Sequence, residues 1–486
     1  MRKLIYLLIL IPFLALSQVQ IGQDIDGSIG DEFGWSVRLS SSSKYIAIGS
    51  IGSSSGYVSV YENISGVWTQ VGQNIEGEAA GDWSGWSVSI SSDGSIVAIG
   101  GIFNDGVNGV NSGHVRIYEN ILGVWTQIGQ DIDGEAADDR SGWSVSLSSD
   151  GNTVAVGGIR NDGVNGENSG HVRIYENTSG VWTQLGQDID GEASFDWFGY
   201  SLDLSSDASI VAIGTIFNAG VNGSTSGHVR IYENISGVWT QTGQDIDGDA
   251  VNDFFGRSLS ISSDGSIVAI GAQQNDGNGS DSGHVKVYEN ISGVWTQIGQ
   301  DIEGEAAINL SGYALSLSSN GSIVAIGAPF NDGNGIDSGQ VRIYRNESSV
   351  WTQIGQDIDG EASDDKSGTS VSLSSDGSIV VIGASSNNGN GMFSGHVRVY
   401  DLSAALSTEE QTELKFNFYP NPAKTQFTIQ LENSIELENV IIYNTLGQQV
   451  LTTKEIVINT AHLAPGIYTV ELQTTSGKGS KKLIIE

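Results

Sequence analysis

Between residues 34 and 400, short runs of Val, Ile, Leu, Trp and Tyr alternate with Ser and other polar residues, and nothing there has helical period. One unit shows the pattern: "GWSVSLSS" from Gly142, "NTVAVGG" from Asn152, "GHVRIYEN" from Gly170 and "VWTQLGQDI" from Val181. Turns such as "SSDG" and "ENTSG" divide these runs, so each unit reads as four antiparallel strands. The unit recurs. The tryptophans of "VWT" fall at Trp68, Trp125, Trp182, Trp239, Trp295 and Trp351, in steps of 57 or 56 residues. Four strands in a repeat of that length make a β-propeller blade. A parallel β-helix would use shorter rungs without tight hairpins, and ranks well below.

The ends of the repeat region predict a closed ring. Complete units open at Gly34, Gly85, Gly142, Gly199, Gly256 and Gly312, while a seventh opens at Gly368 and stops after "GHVRVYDLS" without its fourth strand. "VQIGQDIDG" at 19–27 supplies that strand, so residues 19–25 are expected alongside 395–400. Such a pairing hides two sheet edges that would otherwise invite aggregation. The predicted fold class is all-β: a seven-bladed propeller closed by its N-terminal strand, followed by a small Ig-like β-sandwich.

The hexapeptide "GQDIDG" at 129–134 returns, with small changes, at Gly22, Gly72, Gly186, Gly243, Gly299 and Gly355. An EF-hand loop places oxygen ligands at positions 1, 3 and 5, glycine at 6 and a distal Glu. Counted from Asp131, the glycine comes two places early and position 6 is Ala136. The hexapeptide therefore reads as scaffold, with Gly for unusual dihedrals, Asp capping backbone donors and Ile as a packing plug. Weak calcium binding by "DIDGEAADD" is the alternative, and no other cofactor is expected.

Composition narrows the choice of partners. The 486 residues carry a formal net charge of −36, with 66 Gly, 5 Pro and no Cys. That charge argues against nucleic acid and anionic membrane surfaces, which need basic patches. Residues 1–17 combine Arg2 and Lys3, an apolar run and Ala15-Leu16-Ser17, which is a secretory signal peptide with cleavage before Gln18. No later stretch is apolar enough to span a bilayer, so the mature chain has no transmembrane segment.

In a four-stranded meander, "SSDG" and "ENISG" lie on one face and barely vary between copies. The second-to-third-strand loops and the blade crossings lie on the other and vary most: "AGDWSG", "ADDRSG", "SFDWFG", "VNDFFG", "AINLSG", "SDDKSG". Shared packing holds scaffold positions alike, whereas recognition positions are free to diverge, so the variable face is the expected working face. The residue after each strand-opening Gly should ring its central mouth: Trp35, Trp86, Trp143, Tyr200, Arg257, Tyr313 and Thr369. These could form a platform for a sugar ring or a cage for a partner's Lys or Arg, with blade-to-blade packing as the plainer role. The "VWT" tryptophans read as blade core. His114, His171, His228, His284 and His396 share one slot of the repeat and read as structural. The N-x-S/T sequons, as at Asn63, are by-products of a turn. Carboxylate pairs abound in the crossings, yet nothing singles one out for catalysis, and the chain is not expected to be an enzyme.

"FGWSV" at Phe33, "IVAIGAP" at Ile323 and "GHVRIYEN" at Gly113 resemble the FG-GAP repeat of integrin-type propellers, and still more its bacterial variant, over about residues 19–401. Integrin-type repeats carry calcium on an Asp-rich loop between their first two strands. Here that turn is "SSDG", with one carboxylate, so the resemblance does not bring calcium with it. It does imply that aromatics opening the inner strands can cage a basic residue of a partner. After residue 402 comes a polar linker, 403–415. The segment 416–486 holds "YPNP" at 419–422, "GIY" at 466–468 and a terminal "KKLIIE", and resembles the C-terminal sorting domain of the type IX secretion system of Bacteroidota. That resemblance implies export across the outer membrane by the type IX machinery, then surface attachment or release. The expected function is an extracellular or cell-surface binding or adhesion module for a glycan or a protein. A secreted polysaccharide hydrolase and a passive surface coat are the alternatives.

Overall fold

A computed structural model describes residues 18–406, 416–431, 437–444, 448–474 and 477–486. The leader at 1–17 and most of the expected linker lie outside the described residues. The chain divides into two compact units, one ending at Leu406 and one beginning at Ser407.

The first unit contains seven antiparallel sheets, six of them meanders with their strands in chain order and the seventh a meander whose outer strand comes from the N-terminus. Blade three consists of Ser141–Leu147, Thr153–Gly158, His171–Asn177 and Trp182–Gln184. The outer strand then breaks and resumes as Ile189–Asp190, which pairs back onto the start of the third strand, Val172 opposite Ile189. "VWTQLGQDI", read from sequence as one strand, is thus two pieces separated by a Gly-Gln-Asp bulge. Val19 pairs with Asp401 and Ile25 with Val397, so the N-terminal segment completes the seventh sheet as expected. Phe33 bridges to Gly395 and closes the ring.

Strand alternation puts Val and Ile into the gaps between blades, where they are almost wholly buried. One such core joins Val172 and Ile174 of blade three to Leu202, Val211 and Trp239 of blade four. Two rings of serine stitch the inner strands together. Ser87 and Ser144 donate to the carbonyls of Gly142 and Gly199 in the next blade, at 2.7 Å. Closer to the other face, Ser89 and Ser316 accept the Leu147 and Leu373 amides. Small hydroxyls on the innermost strands let seven sheets converge while satisfying backbone groups that water cannot reach.

The hexapeptide proves to be a clamp between blades. Gln130 donates to the Trp182 carbonyl at 2.7 Å and accepts the Trp182 amide at 3.2 Å. The Trp182 indole N–H returns a bond to the Ile128 carbonyl at 2.9 Å. Gly129 takes φ +75°, and a Cβ there would sit 2.7 Å from the Trp182 ring. Ile132 is buried, as a plug should be. The aspartates do not cap backbone donors as expected: Asp131 accepts Gln127 Nε2, and Asp188 takes a bidentate pair from Arg173. Backbone amides are capped instead by the Asp of "SSDG", where Asp93 accepts the Ser95 amide, and by an Asp of the crossing segments, where Asp82 accepts the Ala79 amide.

Residues 403–406, placed in the linker by sequence, form a helical turn, Ser403–Leu406, whose Ala405 is buried in the first unit. In the second unit, a three-stranded and a four-stranded sheet share one core around Phe427, Val440, Ile442 and Leu472.

Candidate functional site

The seven strand-opening residues do come together. Trp35, Trp86, Trp143, Tyr200, Arg257, Tyr313 and Thr369 line one funnel of about 380 Å³ on the variable face. All seven are half-buried, so each both packs on a neighbour and meets solvent. Ring centroids lie 5.0 Å apart for Trp35–Trp86, 4.7 Å for Trp86–Trp143 and 5.4 Å for Trp143–Tyr200. Arg257 continues the arc, 5.2 Å from the Tyr200 centroid and 4.1 Å from that of Tyr313. Thr369 leaves the arc open at one blade.

A second ring, missed by the sequence reading, stands beside the first. It consists of Glu32, Trp83, Arg140, Trp197, Phe254, Leu310 and Lys366, and all seven have positive φ, between 51° and 56°. The left-handed region suits Gly or Asn and costs a bulky side chain about 1–2 kcal/mol. The local cause is a tight turn: the amides of Trp86, Trp143 and Tyr313 bond back to the carbonyls of Trp83, Arg140 and Leu310. The Arg140 and Lys366 amides are in turn held by carbonyls of the second-to-third-strand loop, from Asn111 and Asp337. A Gly would fit each of these positions with less strain, yet each carries a large or charged side chain at the mouth. A sequence signal existed: the fourth column of the crossing segments reads Trp, Arg, Trp, Phe, Leu, Lys.

The third column of the same segments is scaffold. Asp82, Asp139, Asp196, Asp253 and Asp365 are buried, and each accepts a backbone amide three residues earlier. Asn104, Asn161, Asn218 and Asn275 of the neighbouring loops also donate to four of them. The variable face is therefore mounted on fixed Asp–Asn clips.

The mouth extends outward through Phe103 against Trp83 and Phe217 against Trp197, at 4.8 and 4.7 Å between centroids. Cations cover these rings: Arg140 lies over Phe103, Arg160 over Trp197 and Lys366 over Phe330, at 5.0–5.3 Å.

The shared histidine slot is buried, with Tyr57 and Gln340 in the two blades that lack His. Burial pushes His171, His228 and His396 down to about 4, assisted by the adjacent Arg173, Arg230 and Arg398. Each histidine gathers two carboxylates, as Glu135, His171 and Asp188 do in blade three, with ligand atoms within 4.8 Å. In the same place Arg173 forms ion pairs with both Glu135 and Asp188, and Arg230 and Lys286 do likewise in the next two blades. The chain's own cation thus compensates this charge.

Comparison with known proteins follows the same division of the chain. Residues 239–288 match the FG-GAP repeat, and residues 417–486 match the secretion system C-terminal sorting domain. No curated protein matches the chain. Among solved structures, hydrazine synthase of Kuenenia stuttgartiensis is similar at 11% identity and a TM-score of 0.50, over 75% of this chain and 94% of that one. The periplasmic gluconolactonase of Pseudomonas aeruginosa is similar at 14% identity and a TM-score of 0.47, over 96% and 100%. At such identities the likeness concerns fold alone. No helix among the described residues is long and apolar enough to cross a membrane. The protein is a seven-bladed β-propeller with an FG-GAP repeat at residues 239–288, carrying a C-terminal sorting domain that directs it through type IX secretion to the medium or the cell surface.

Proposed function

We propose that the propeller is an extracellular binding module whose variable face holds a glycan or a protein against the aromatic mouth. The observation that carries this reading is the second ring, where seven bulky or charged residues occupy left-handed backbone that Gly would take at less cost. Left-handed residues recur in the "ENISG" turns of the other face too, as at Ser65, Ser179 and Ser236, but those are mostly small. The ring beside the funnel carries instead Trp, Arg, Phe, Leu, Lys and Glu, which suits a bound partner better than blade packing. Blade packing is already supplied by the buried "VWT" tryptophans and the serine rings. A binding rather than catalytic role is supported by the repetition of the carboxylates, which recur as clips and ion pairs in blade after blade. Glycan-array binding by the full chain, lost in Trp86→Ala/Trp143→Ala at an unchanged melting temperature, is the expected result. Glycan turnover abolished by a single carboxylate substitution would overturn the binding reading in favour of a hydrolase.

A further inference from the structure

Within a chain of formal charge −36, the basic side chains of the propeller sort into two sets. From Arg38 to Arg398, those away from the mouth each lie within ion-pair distance of a carboxylate. Four do not among the described residues: Arg140, Arg160, Arg257 and Lys366. Arg257 lines the funnel, Arg140 and Lys366 belong to the second ring beside it, Arg160 lies over Trp197 of that ring, and each of the four rests on an aromatic ring instead. Where acid is so abundant, leaving four cations unpaired in one place is a selective arrangement.

Arg140 and Arg160 form its centre. The Nε atoms of both are buried without a hydrogen-bond partner among the described residues, and the guanidinium ends beyond them make no hydrogen bond there either. The chain brings the two together, the Arg160 amide bonding at 3.2 Å to the carbonyl of Asp139, next to Arg140, and after burial the Arg160 charge is the main influence lowering the pKa of Arg140. Asp138, the acid that bears on Arg140, accepts Asn111 Nδ2, and Glu32, which faces Lys366, makes no ion pair with it among the described residues. Two adjacent guanidiniums with unused donors suit a planar carboxylate or a sulfate. Arg257 bears on the occupant in another way. It already fills the cation position between Tyr200 and Tyr313, so a partner's Lys or Arg entering there would meet like charge.

We infer that the mouth takes an anionic polysaccharide, with sugar rings stacked on the indoles of Trp86, Trp143 and neighbouring aromatics and their carboxylate or sulfate groups held by Arg140 and Arg160. This rests on the binding reading above and names the ligand class for the same site. Flat indole faces match the apolar faces of pyranose rings, and guanidinium forks match the acid groups.

The test uses the full chain with calcium chelated and four polymers: polygalacturonate, dextran sulfate, dextran and polyglutamate. At least one acidic polysaccharide should bind ten times more tightly than dextran or polyglutamate. Arg140→Gln/Arg160→Gln and Trp86→Ala/Trp143→Ala should each weaken that binding at least tenfold, with Arg140→Lys retaining part of it. The arginine pair makes no ion pair, so its replacement should leave the melting temperature unchanged, separating lost binding from lost folding. Equal binding of dextran, insensitive to the arginine change but lost with the tryptophans, would overturn this inference and leave the binding platform standing. Polyglutamate bound as tightly, whatever the tryptophans, would replace it with an acidic protein partner. No binding of any polymer would overturn the inference, and a glycan array that also stays blank would remove the glycan platform.

Discussion

The two ends of the propeller axis are lined by the same seven inner strands and have opposite characters. At the "SSDG" end the corresponding positions are serine in five blades, with Arg38 and Asp203 in the other two. Arg38 reaches across the axis to Asp203 at 3.1 Å, and Asp203 also accepts from Ser146 at 3.0 Å and the Ile261 amide at 3.1 Å. The opening left there is about 90 Å³. At the other end the funnel is about 380 Å³, rimmed by aromatics, and Arg257 has no carboxylate partner among the described residues. One end meets its polar needs internally and closes. The other leaves donors and ring faces unused and stays open. Repetition does not distinguish scaffold from site, since both ends repeat, but unspent chemistry does.

That contrast can be broken or sharpened by substitution. The largest loss should come from the scaffold: Trp182→Ala removes a buried indole and its bond to Ile128, costing about 3–5 kcal/mol in denaturant unfolding. Next is the histidine slot. His396, pushed down to about 4 from an ordinary 6.5, takes up its proton in the unfolded chain first. Its contribution is therefore complete above pH 6.5, declines as pH falls towards 4, and levels off below, up to about 3 kcal/mol in all. Asp24, Asp26, Glu361, Asp365 and Arg398 face it, and burial raises Asp26 and Glu361, whose protonation offsets part of the decline at its acid end. His396→Gln should remove its own share of this slope and leave those of His171 and His228, because Gln340 already fills the equivalent slot in blade six. Measuring stability against pH for the two chains checks it.

At the closed end, Arg38→Ala leaves Asp203 buried without its cation. The half-exposed guanidinium and the remaining hydrogen bonds limit the cost to about 1–2 kcal/mol, with ligand binding unchanged. Smallest is the mouth itself, where Arg140→Gln should shift stability by about 0.5 kcal/mol or less while affecting binding most. A large stability loss there would mean that the mouth is packing after all.

The seven blades, their closure and the first aromatic ring were legible because each depends on a fixed offset within the repeat. Residue 19 could be paired with the last blade by counting strands alone. The clamp was not legible: Gln130 contacts a strand 52 residues later, and nothing in "GQDIDG" names that partner. The second ring escaped for a conformational reason. Trp83 and Arg140 looked like ordinary variation in a loop, and only their contacts with the first ring, Trp83 stacked 5.7 Å from Trp86 and the Arg140 carbonyl holding the Trp143 amide, show that they stand beside it. The unpaired state of Arg140 and Arg160 is likewise invisible in a sequence crowded with Asp and Glu.

Hydroxyl-radical footprinting of the full chain, with and without a polysaccharide it retains, tests the central claim most directly. The account predicts protection of Trp35, Trp83, Trp86, Trp143 and Trp197, with Tyr45 at the "SSDG" end oxidised at the same rate in both samples. Protection around Tyr45 with the mouth tryptophans unchanged would contradict it.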